Sequence, residues 1–204
     1  MTTYAVTSAW AAAHAELIQQ HNSKSFQSSL NGSVQTGSLP GARWGWNITF
    51  PEQNIAVRSR IEALLTKLSG REHRLQLHDL SKPTPRGTIN LSGVTAGAAA
   101  QFVSTMVLAG CGNTKTLLEG DWISVVTTGG VQIVMVTDDS TSDAGGNMSV
   151  NFRHPLRAAV SGGATVVTNA PVGLFVLSSP ELSFPREAGF KCPQFSISFG
   201  EVFS

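Results

Sequence analysis

The chain has 204 residues, enough for one large domain or two small ones with a hydrophobic core. Its formal net charge of +1 at pH 7 and its pI of about 7.9 argue against a duplex-DNA-binding protein, which needs a basic stripe to neutralise phosphates. Charged residues make up only 13% of the chain, and such a weakly charged polar surface suits a protein whose faces are covered by neighbouring molecules.

The first predicted element is a short helix over residues 9–20, a stretch rich in alanine. In helical geometry this stretch places Trp10, Ala13 and Leu17 on one stripe, with His14 beside them. We therefore expect a helix that packs this stripe against the rest of the protein.

Residues 25–50 predict an antiparallel pair of strands. In ARWGWNITF, large apolar residues alternate with small or polar ones, which is the period of a strand with one buried face. The preceding SFQSSLNGSVQT also has strand character, and Pro40 and Gly41 fit the central positions of a type II turn. The face predicted to be buried consists of Trp44, Trp46, Ile48 and Phe50.

The clearest helix is predicted after Pro51, over residues 55–69. Gly70 stands where a left-handed C-cap belongs, and the strand that follows turns Leu75 and Leu77 toward the core. The apolar face of this helix consists of Val57, Ile61, Leu64, Leu65 and Leu68, while Arg58, Glu62 and Lys67 occupy its other sides.

The character of the chain changes after KPTPRGT, residues 82–88, which breaks regular structure. Residues 89–184 hold many short β segments with glycine-rich turns, a spacing that predicts a small barrel or sandwich. The clearest of these segments are residues 122–126, 131–137, 148–152, 165–168 and 173–177.

The C-terminal PQFSISFGEVF resembles the first region more than the middle one. Phe195, Ile197, Phe199 and Phe203 alternate with small or polar residues, and this apolar face needs a second one such as that of Trp44, Trp46 and Ile48. The strand is therefore predicted to return to the first domain, beside strands from residues 25–50 or 72–80.

These elements together predict a mainly β fold with one or two helices. Residues 1–88 and 185–204 are expected to form one domain, built from the strand pair, the helix, the next strand and the closing strand, and residues 89–184 an inserted small β-barrel or β-sandwich. The two chain crossings are expected around residues 82–92 and 178–188, because both stretches contain proline and flank the change in sequence character.

Cysteine and apolar patterns carry little functional information. Cys111 and Cys192 lie far apart and form no CxxC pair, so we expect two reduced thiols in or near the core. The N-terminus lacks the basic and leucine-rich parts of a signal peptide, and the longest apolar runs are too short to span a bilayer. We expect a soluble protein that is made in the cytoplasm.

The stretch TDDSTSDAGGNMSV, residues 137–150, is the most acidic part of the chain. Counting from Asp139, an EF-hand loop would need glycine where Ala144 stands and a bidentate glutamate where Val150 stands, so the calcium pattern fails. Asp, Ser and Gly residues in this order favour a turn instead, with positive φ supplied by Gly145, Gly146 or Asn147.

The other candidate motifs do not predict chemistry. GCGNTKT, residues 110–116, lacks the glycine directly before Lys115 that a P-loop needs, and the five histidines have no ligand spacing. Trp44, Trp46 and Trp122 could form a carbohydrate platform, but their apolar neighbours favour core packing. The sequence therefore predicts no catalytic, cofactor-binding or metal-binding residues.

Several separated segments together resemble the distal tail proteins of tailed bacteriophages. The segments are FQSSLNGSVQTGSLPGARW, IEALLTKLSGREHRLQLHDLSKPTPRGT, LLEGDWISV, VTDDSTSDAGGNMSVNFRHPLR and GATV with a later proline, and the resemblance extends over nearly the whole chain from about Ser25. The residues that carry the resemblance are Gly32, Gln35, Thr36, Pro40, Gly41, Arg43, Trp44, Gly70, Arg71, Gly120, Asp121, Asp139, Asp143, Gly146, Pro155, Leu156 and Arg157.

The resemblance implies a structural protein of the virion tail tip, assembled as a homohexameric ring. Its first domain, residues 1–88 and 185–204, would be a β-sandwich or split barrel with a helix. This domain would stack on the tail tube protein and contact the tape-measure protein and the baseplate hub or tail-associated protein. The second domain would project outward with the aspartates at a hairpin tip, with no nucleic-acid or membrane site. The candidate residues for structure and assembly are Gln35, Arg43, Trp44, Trp46, Leu65, Arg71, Asp121, Trp122 and Arg157.

Two alternatives remain open from the sequence. The inserted domain could instead be a module of the tail tip that binds a glycan or another receptor. The protein could also be a different tail component, such as a tube or terminator subunit.

Overall fold

The computed structural model describes residues 1–6, 10, 14–39, 41–188 and 192–202. About 42% of the chain is in strands and 7% is helical, which confirms the predicted mainly β class, and one sheet is curled into a half-barrel. The strands are β1 (Thr3–Ala5), β2 (His14–Gln20), β3 (Ser23–Gln27), β4 (Val34–Ser38), β5 (Arg43–Phe50), β6 (Arg74–Leu77), β7 (Thr95–Ala96), β8 (Thr105–Ala109), β9 (Thr116–Leu117), β10 (Trp122–Thr127), β11 (Gly130–Met135), β12 (Ser140–Thr141), β13 (Met148–Asn151), β14 (Ala164–Val167), β15 (Gly173–Leu177) and β16 (Phe195–Glu201). The helix described is α1 (Ile55–Lys67), between β5 and β6.

The first sheet joins the two ends of the chain in the order β1-β6-β15-β16-β5-β2. The predicted return of the C-terminal strand is confirmed, because β16 pairs with β5 in antiparallel register and places Ile197 opposite Ile48 and Phe199 opposite Trp46. The predicted apolar face of β5 is also confirmed, since Trp44, Trp46, Ile48 and Phe50 are all buried. Two alternating strands thus supply one wall of the first core.

Helix α1 supplies the opposite wall of that core. Ile61, Leu64, Leu65 and Leu68 are buried against the aromatic strand face, which confirms the predicted helix face. The helix begins at Asn54, whose side chain accepts a hydrogen bond from the Val57 N–H at 3.0 Å. It ends in two left-handed residues, Ser69 (φ 48°) and the predicted Gly70 (φ 68°).

Arg58 was predicted on a solvent side of this helix, and that prediction is wrong. Its side chain is 2% exposed, and its guanidinium lies 3.6 Å from the centre of the Phe195 ring. Nε donates to Glu62 Oε1 at 2.8 Å, one helical turn away. The apolar face is therefore extended by the stem and planar head of an arginine that packs flat on an aromatic ring.

The second sheet has the order β11-β10-β14-β7-β8-β13 and encloses its own buried cluster around Leu108, Ile123, Val134 and Val150. All five β segments predicted within residues 89–184 are strands. Two side chains of the second sheet, Trp122 and Ile133, belong to the first core instead. The two cores therefore share β10 and β11 as a common wall.

The predicted N-terminal helix over residues 9–20 is wrong for its second half. His14–Gln20 is strand β2, which pairs along its full length with β5 and places Leu17 opposite Trp46. Pairing with a long aromatic strand outweighs the helical preference of an alanine- and glutamine-rich sequence. Trp10 is buried in the first core, whereas Ala9 and Ala13 lie outside the described residues.

The predicted pairing within residues 25–50 is also wrong. Strand β3 pairs with β4, Phe26 opposite Gln35, and the two form a separate two-stranded sheet. Strand β5 pairs with β2 and β16 instead. Gly41 has a positive φ of 108°, while its predicted turn partner Pro40, like Phe203 of the C-terminal strand, lies outside the described residues.

Strand β15, residues 173–177, was assigned to the inserted domain, and this assignment is wrong. It lies between β6 and β16 in the first sheet. A Cβ on Gly173 would lie 2.7 Å from Ile133 Cγ2, so a glycine is needed where β15 passes close to β11. The chain therefore re-enters the first sheet before residue 173.

We predict that Leu65→Ala lowers the free energy of unfolding by about 2–5 kcal/mol, because it leaves a cavity in the first core. Leu65 is 0% exposed, whereas Ile55 on the same helix is 51% exposed. The matched control Ile55→Ala should change stability by only about 0.5 kcal/mol. Urea unfolding of both variants tests this, and equal effects would show that the helix face is not core.

Candidate functional site

The two sheets are joined by a buried ion pair. Arg157, in the loop between β13 and β14, reaches Glu201 at the end of β16, with 2.5 Å between Nη2 and Oε2 and 3.0 Å between Nη1 and Oε1. Glu201 is 2% exposed, and its Oε2 also accepts the Trp44 backbone N–H at 3.0 Å. This bidentate geometry is the strongest form of an arginine–carboxylate contact.

The loop that carries Arg157 is fixed by Gln132 of β11. The Arg157 backbone N–H donates to Gln132 Oε1 at 2.9 Å, and Gln132 Nε2 donates to the Pro155 carbonyl at 3.1 Å. Gln132 is itself buried, so its amide presents both a donor and an acceptor to one loop in a fixed orientation. Gln132 of the second sheet therefore positions Arg157, and Glu201 of the first sheet accepts the hydrogen bonds of its guanidinium.

Burial raises the pKa of the Glu201 carboxyl, and Arg157 and the Trp44 N–H oppose that rise. The Glu201 carboxyl therefore depends on Arg157 and the Trp44 N–H to oppose the effect of burial on its pKa. Removing Arg157 would leave a buried charge without its principal partner.

Trp44 is the centre of an aromatic cluster at the same junction. Its ring lies 4.8 Å from that of Trp122 and 4.2 Å from that of His154, measured between ring centres. Trp122 Nε1 donates to Asp79 Oδ2 at 3.1 Å, which satisfies the polar edge of a buried indole. Of the three indoles for which the sequence favoured core packing, Trp44 and Trp122 therefore pack on each other, and Trp46 lies in the first core.

His154 is a buried imidazole on this cluster. It is 2% exposed, and its Nε2 lies 3.3 Å from the side-chain amide nitrogen of Gln19. The other ring nitrogen, Nδ1, is buried and has no hydrogen-bond partner in the described residues. Burial, with the nearby charges of Arg157 and His21, lowers the pKa of His154 to about 4.

A cleft opens beside these residues, and we call it the junction cleft. It consists of two adjoining hollows of about 320 and 440 Å3, both lined by Gly41, Phe102 and Arg157. Arg153 and His154 line the larger hollow, and a neighbouring hollow around Gly41 adds Arg43. No aspartate or glutamate is among the residues that line these hollows in the described part of the chain.

Asp121 organises the chain where it enters the second sheet. The buried carboxylate accepts three backbone N–H groups, from Arg86 at 2.8 Å, Leu118 at 2.9 Å and Gly87 at 3.1 Å. A Cβ on Gly87 would lie 2.1 Å from the Thr116 carbonyl oxygen, so only glycine fits this approach. The role of Asp121 is thus to fix two loops.

The candidate residues chosen from the sequence do not form a single site. Arg43, Trp44, Trp122 and Arg157 meet at the junction, with Asp121 next to Trp122 in the chain. The remaining candidates lie apart from it. Trp46 and Leu65 are in the first core, Gln35 is exposed on β4, and Arg71 donates to the carbonyls of Leu177 and Ser178 after β15.

Glu201, His154, Asp79 and Gln132 were missed by the sequence reasoning. Glu201 stands 44 residues from Arg157, and no spacing rule links them. His154 had a local signal that was not used, because it directly follows Arg153 and precedes Pro155 within the segment that carries the family resemblance.

The acidic stretch after β11 is a turn, as predicted. Asp143 Oδ1 accepts the Asn147 backbone N–H at 2.8 Å, which lowers the pKa of the Asp143 carboxyl, and Gly146 has a φ of 79°. Asp139 Oδ1 accepts the Glu119 N–H at 2.9 Å. Within the described residues, no three His, Cys, Asp or Glu side chains are grouped so that they could hold a metal ion.

No protein-family model matches the chain, and no curated protein matches its sequence. In the described part of the chain, no helix has the length and apolar character required to cross a membrane.

We predict that Arg157→Met lowers the free energy of unfolding by about 3–5 kcal/mol at pH 7, because Glu201 is left buried without its charged partner. The double variant Arg157→Met, Glu201→Gln should be the more stable of the two, since it removes the uncompensated charge and the amide oxygen can still accept the Trp44 N–H. Urea unfolding measures both. A double variant less stable than the single one would contradict this account of the junction.

We predict that His154 makes the protein less stable in acid. In the unfolded chain His154 binds a proton at about pH 6.5, whereas in the folded chain it does so only near pH 4. The contribution of the neutral histidine to the free energy of unfolding is therefore complete above pH 6.5 and is lost as the pH falls toward 4. A shift of this size corresponds to a loss on the order of 3 kcal/mol. The raised pKa of Glu201 acts in the opposite direction, because it favours folding as the pH falls.

The test compares the midpoint of thermal unfolding between pH 4 and 7 for the wild type and His154→Gln. Glu201 is common to both proteins, so the difference between their pH profiles isolates the histidine. The wild type should lose more stability than the variant over this range, and parallel profiles would rule out the histidine as the cause.

Proposed function

We propose that this protein is a structural subunit of a ring at the distal end of a phage tail, where it joins the tail tube to the tip or baseplate hub. The observation that carries the proposal is the β3–β4 hairpin, residues 23–38. Its two strands pair with each other and, in the described residues, with no other strand. Phe26, Leu30 and Val34 on this hairpin are 69%, 97% and 60% exposed.

An isolated two-stranded ribbon is marginally stable in water, and large exposed apolar side chains mark contact surfaces. The hairpin therefore suits a chain whose ribbon lies against a neighbouring molecule. Repetition of one such heterologous contact closes a ring. The low charged fraction of 13% supports the same reading, since subunit faces buried in an assembly avoid unpaired charge.

The resemblance to distal tail proteins supports the proposal at the same place. Three of the residues that carry it, Gly32, Gln35 and Thr36, lie on the hairpin, and all three are exposed. Gly32 serves the turn with a φ of 69°, but the core does not require Gln35 or Thr36. In the proposed assembly these residues contact the next subunit, with the tail tube, tape-measure and hub proteins as the further partners.

A second candidate is a glycan- or receptor-binding module of the tail tip. Phe102 favours it, because this aromatic side chain is 56% exposed beside the junction cleft and could stack on a sugar. If the protein is instead a tube or terminator subunit, it would also form a ring, but at a different position along the tail.

We predict that the purified protein has a native mass that is a multiple of 21.5 kDa, six-fold for the proposed hexamer. The variant Phe26→Ser, Leu30→Ser, Val34→Ser should shift the protein to the monomer and still unfold in a cooperative thermal transition, because the hairpin does not contribute to either core. Native mass spectrometry and thermal unfolding measure the two quantities.

The matched control is Leu91→Ser, Val107→Ser, two side chains that are 50% and 51% exposed elsewhere on the surface. This control should assemble like the wild type. A wild-type protein that stays at 21.5 kDa at micromolar concentration and above would overturn the ring.

A further inference from the structure

The turn of the β3–β4 hairpin contains the one Asn-Gly pair of the sequence, Asn31 and Gly32. Every other asparagine of the chain is followed by a residue that has a side chain. Both Asn31 and Gly32 are exposed. Because glycine has no Cβ, its backbone nitrogen is not shielded from the asparagine side chain that precedes it. This pair is therefore the place in the sequence where an asparagine can most easily react with the peptide bond that follows it.

The turn folds the Asn31 side chain back toward the peptide bonds on its C-terminal side. Its Oδ1 accepts a hydrogen bond from the Ser33 backbone N–H at 3.0 Å. Gly32 has a φ of 69°, and no other described residue comes within 4 Å of the position that a Cβ would take there. The carboxamide of Asn31 and the nitrogen of Gly32 are thus neighbours in an open, solvent-exposed turn.

One hydrogen bond opposes a reaction at this nitrogen. The Gly32 N–H donates to the Ser28 carbonyl at 3.0 Å, and this bond has to open before the nitrogen can attack. The hairpin pairs with no other strand in the part of the chain that the structure describes. A two-stranded ribbon of this kind is marginally stable in water, and mobile loops open at a free-energy cost near zero. The turn therefore opens without unfolding either core.

We propose that Asn31 deamidates through a succinimide and that its product weakens the contact of the hairpin in the ring. The Gly32 nitrogen, deprotonated by hydroxide, attacks Cγ of Asn31, the bond from Cγ to Nδ2 breaks, and ammonia leaves. Water then adds to one of the two carbonyls of the cyclic imide and opens the ring, which leaves aspartate or isoaspartate at position 31. In sum, an amide and a water molecule become a carboxylic acid and ammonia.

The new carboxylate lies within the apolar surface that is proposed for assembly. Leu30, next to Asn31, is 97% exposed, and Phe26 and Val34 lie on the two strands that flank the turn. Lys24, the one charged residue of the hairpin, is near its base and does not neutralise the turn. A charge covered by the next subunit without a partner disfavours the contact. This effect rests on the proposed ring, whereas the reaction itself does not.

The reaction is tested by peptide mass analysis of the full-length protein after incubation at several pH values. Conversion exchanges an NH2 group for an OH group, and the reference rate is that of a free peptide with the sequence of residues 28–34. Asn31 in the folded protein should convert at a rate within about tenfold of the peptide. The rate should rise about tenfold per pH unit, because the deprotonated fraction of the Gly32 amide does so.

The internal control is Asn113, which is also exposed but is followed by the β-branched Thr114. Asn113 should remain unconverted while Asn31 reacts. Conversion of the free peptide without conversion of Asn31 in the folded protein would overturn the proposed site. Conversion of Asn31 no faster than Asn113 would overturn it equally.

The effect on assembly is tested with two substitutions at the same position. Asn31→Asp introduces the charge of the product, and Asn31→Gln keeps an uncharged amide. The control for added charge is Asn113→Asp. Sedimentation gives the protein concentration at which half of the subunits are assembled. Asn31→Asp should raise this concentration about tenfold or more. Asn31→Gln and Asn113→Asp should stay within about threefold of the wild type.

Assembly of Asn31→Asp with wild-type strength would overturn the effect on the ring, and the mass analysis would still decide the reaction. Equal losses in Asn31→Asp and Asn31→Gln would assign the loss to the missing hydrogen bond with Ser33 and would also overturn the effect. A wild type that is monomeric throughout would overturn the ring and the effect together, while conversion of Asn31 would still be measured by mass.

Discussion

A carboxylate at the end of the last strand is the point on which the two halves of the structure converge. Glu201 is the last residue of β16 in the first sheet, and its side chain accepts a hydrogen bond from the Trp44 backbone N–H of β5. It also forms an ion pair with Arg157, in the loop between β13 and β14 of the second sheet. Burial works against its charge, so the pair stabilises the fold only in the geometry that Gln132 imposes on the arginine. The aromatic cluster of Trp44, Trp122 and His154 packs at the same junction.

The same junction lies beside the exposed β3–β4 hairpin. The hairpin leaves the fold at Asn22 and returns at Leu39, and both residues line the cleft whose wall contains Arg157. An ion pair that fixes the relative position of the sheets thereby fixes the shape of the cleft and the base of the hairpin. In the ring that we propose, a contact at the base of the hairpin would use a surface already formed in each subunit, which would reduce the entropy lost on binding.

The sequence predicted what local periodicity controls. The alternation of Trp44 to Phe50 and the helical spacing of Ile61, Leu65 and Leu68 each define a buried face without reference to distant residues. The prediction from sequence failed where the structure of a segment depends on residues that are distant in the chain. His14–Gln20 is a strand because β5 pairs with it, and β15 belongs to the first sheet because β6 and β16 enclose it. The candidate site was only partly predictable for the same reason, since Glu201 lies 44 residues from Arg157 and no local pattern links them.

The central claim is that the junction couples the two sheets into one cooperative unit. Native-state hydrogen exchange tests it most directly, because it gives an opening free energy for each protected amide. The amides of Leu108 in the second sheet and Ile48 in the first lie in the two separate cores. The account predicts that both open with the global free energy of unfolding, equal to within about 0.5 kcal/mol. A difference on the order of 2 kcal/mol or more would show that the sheets open independently and that the junction does not join them.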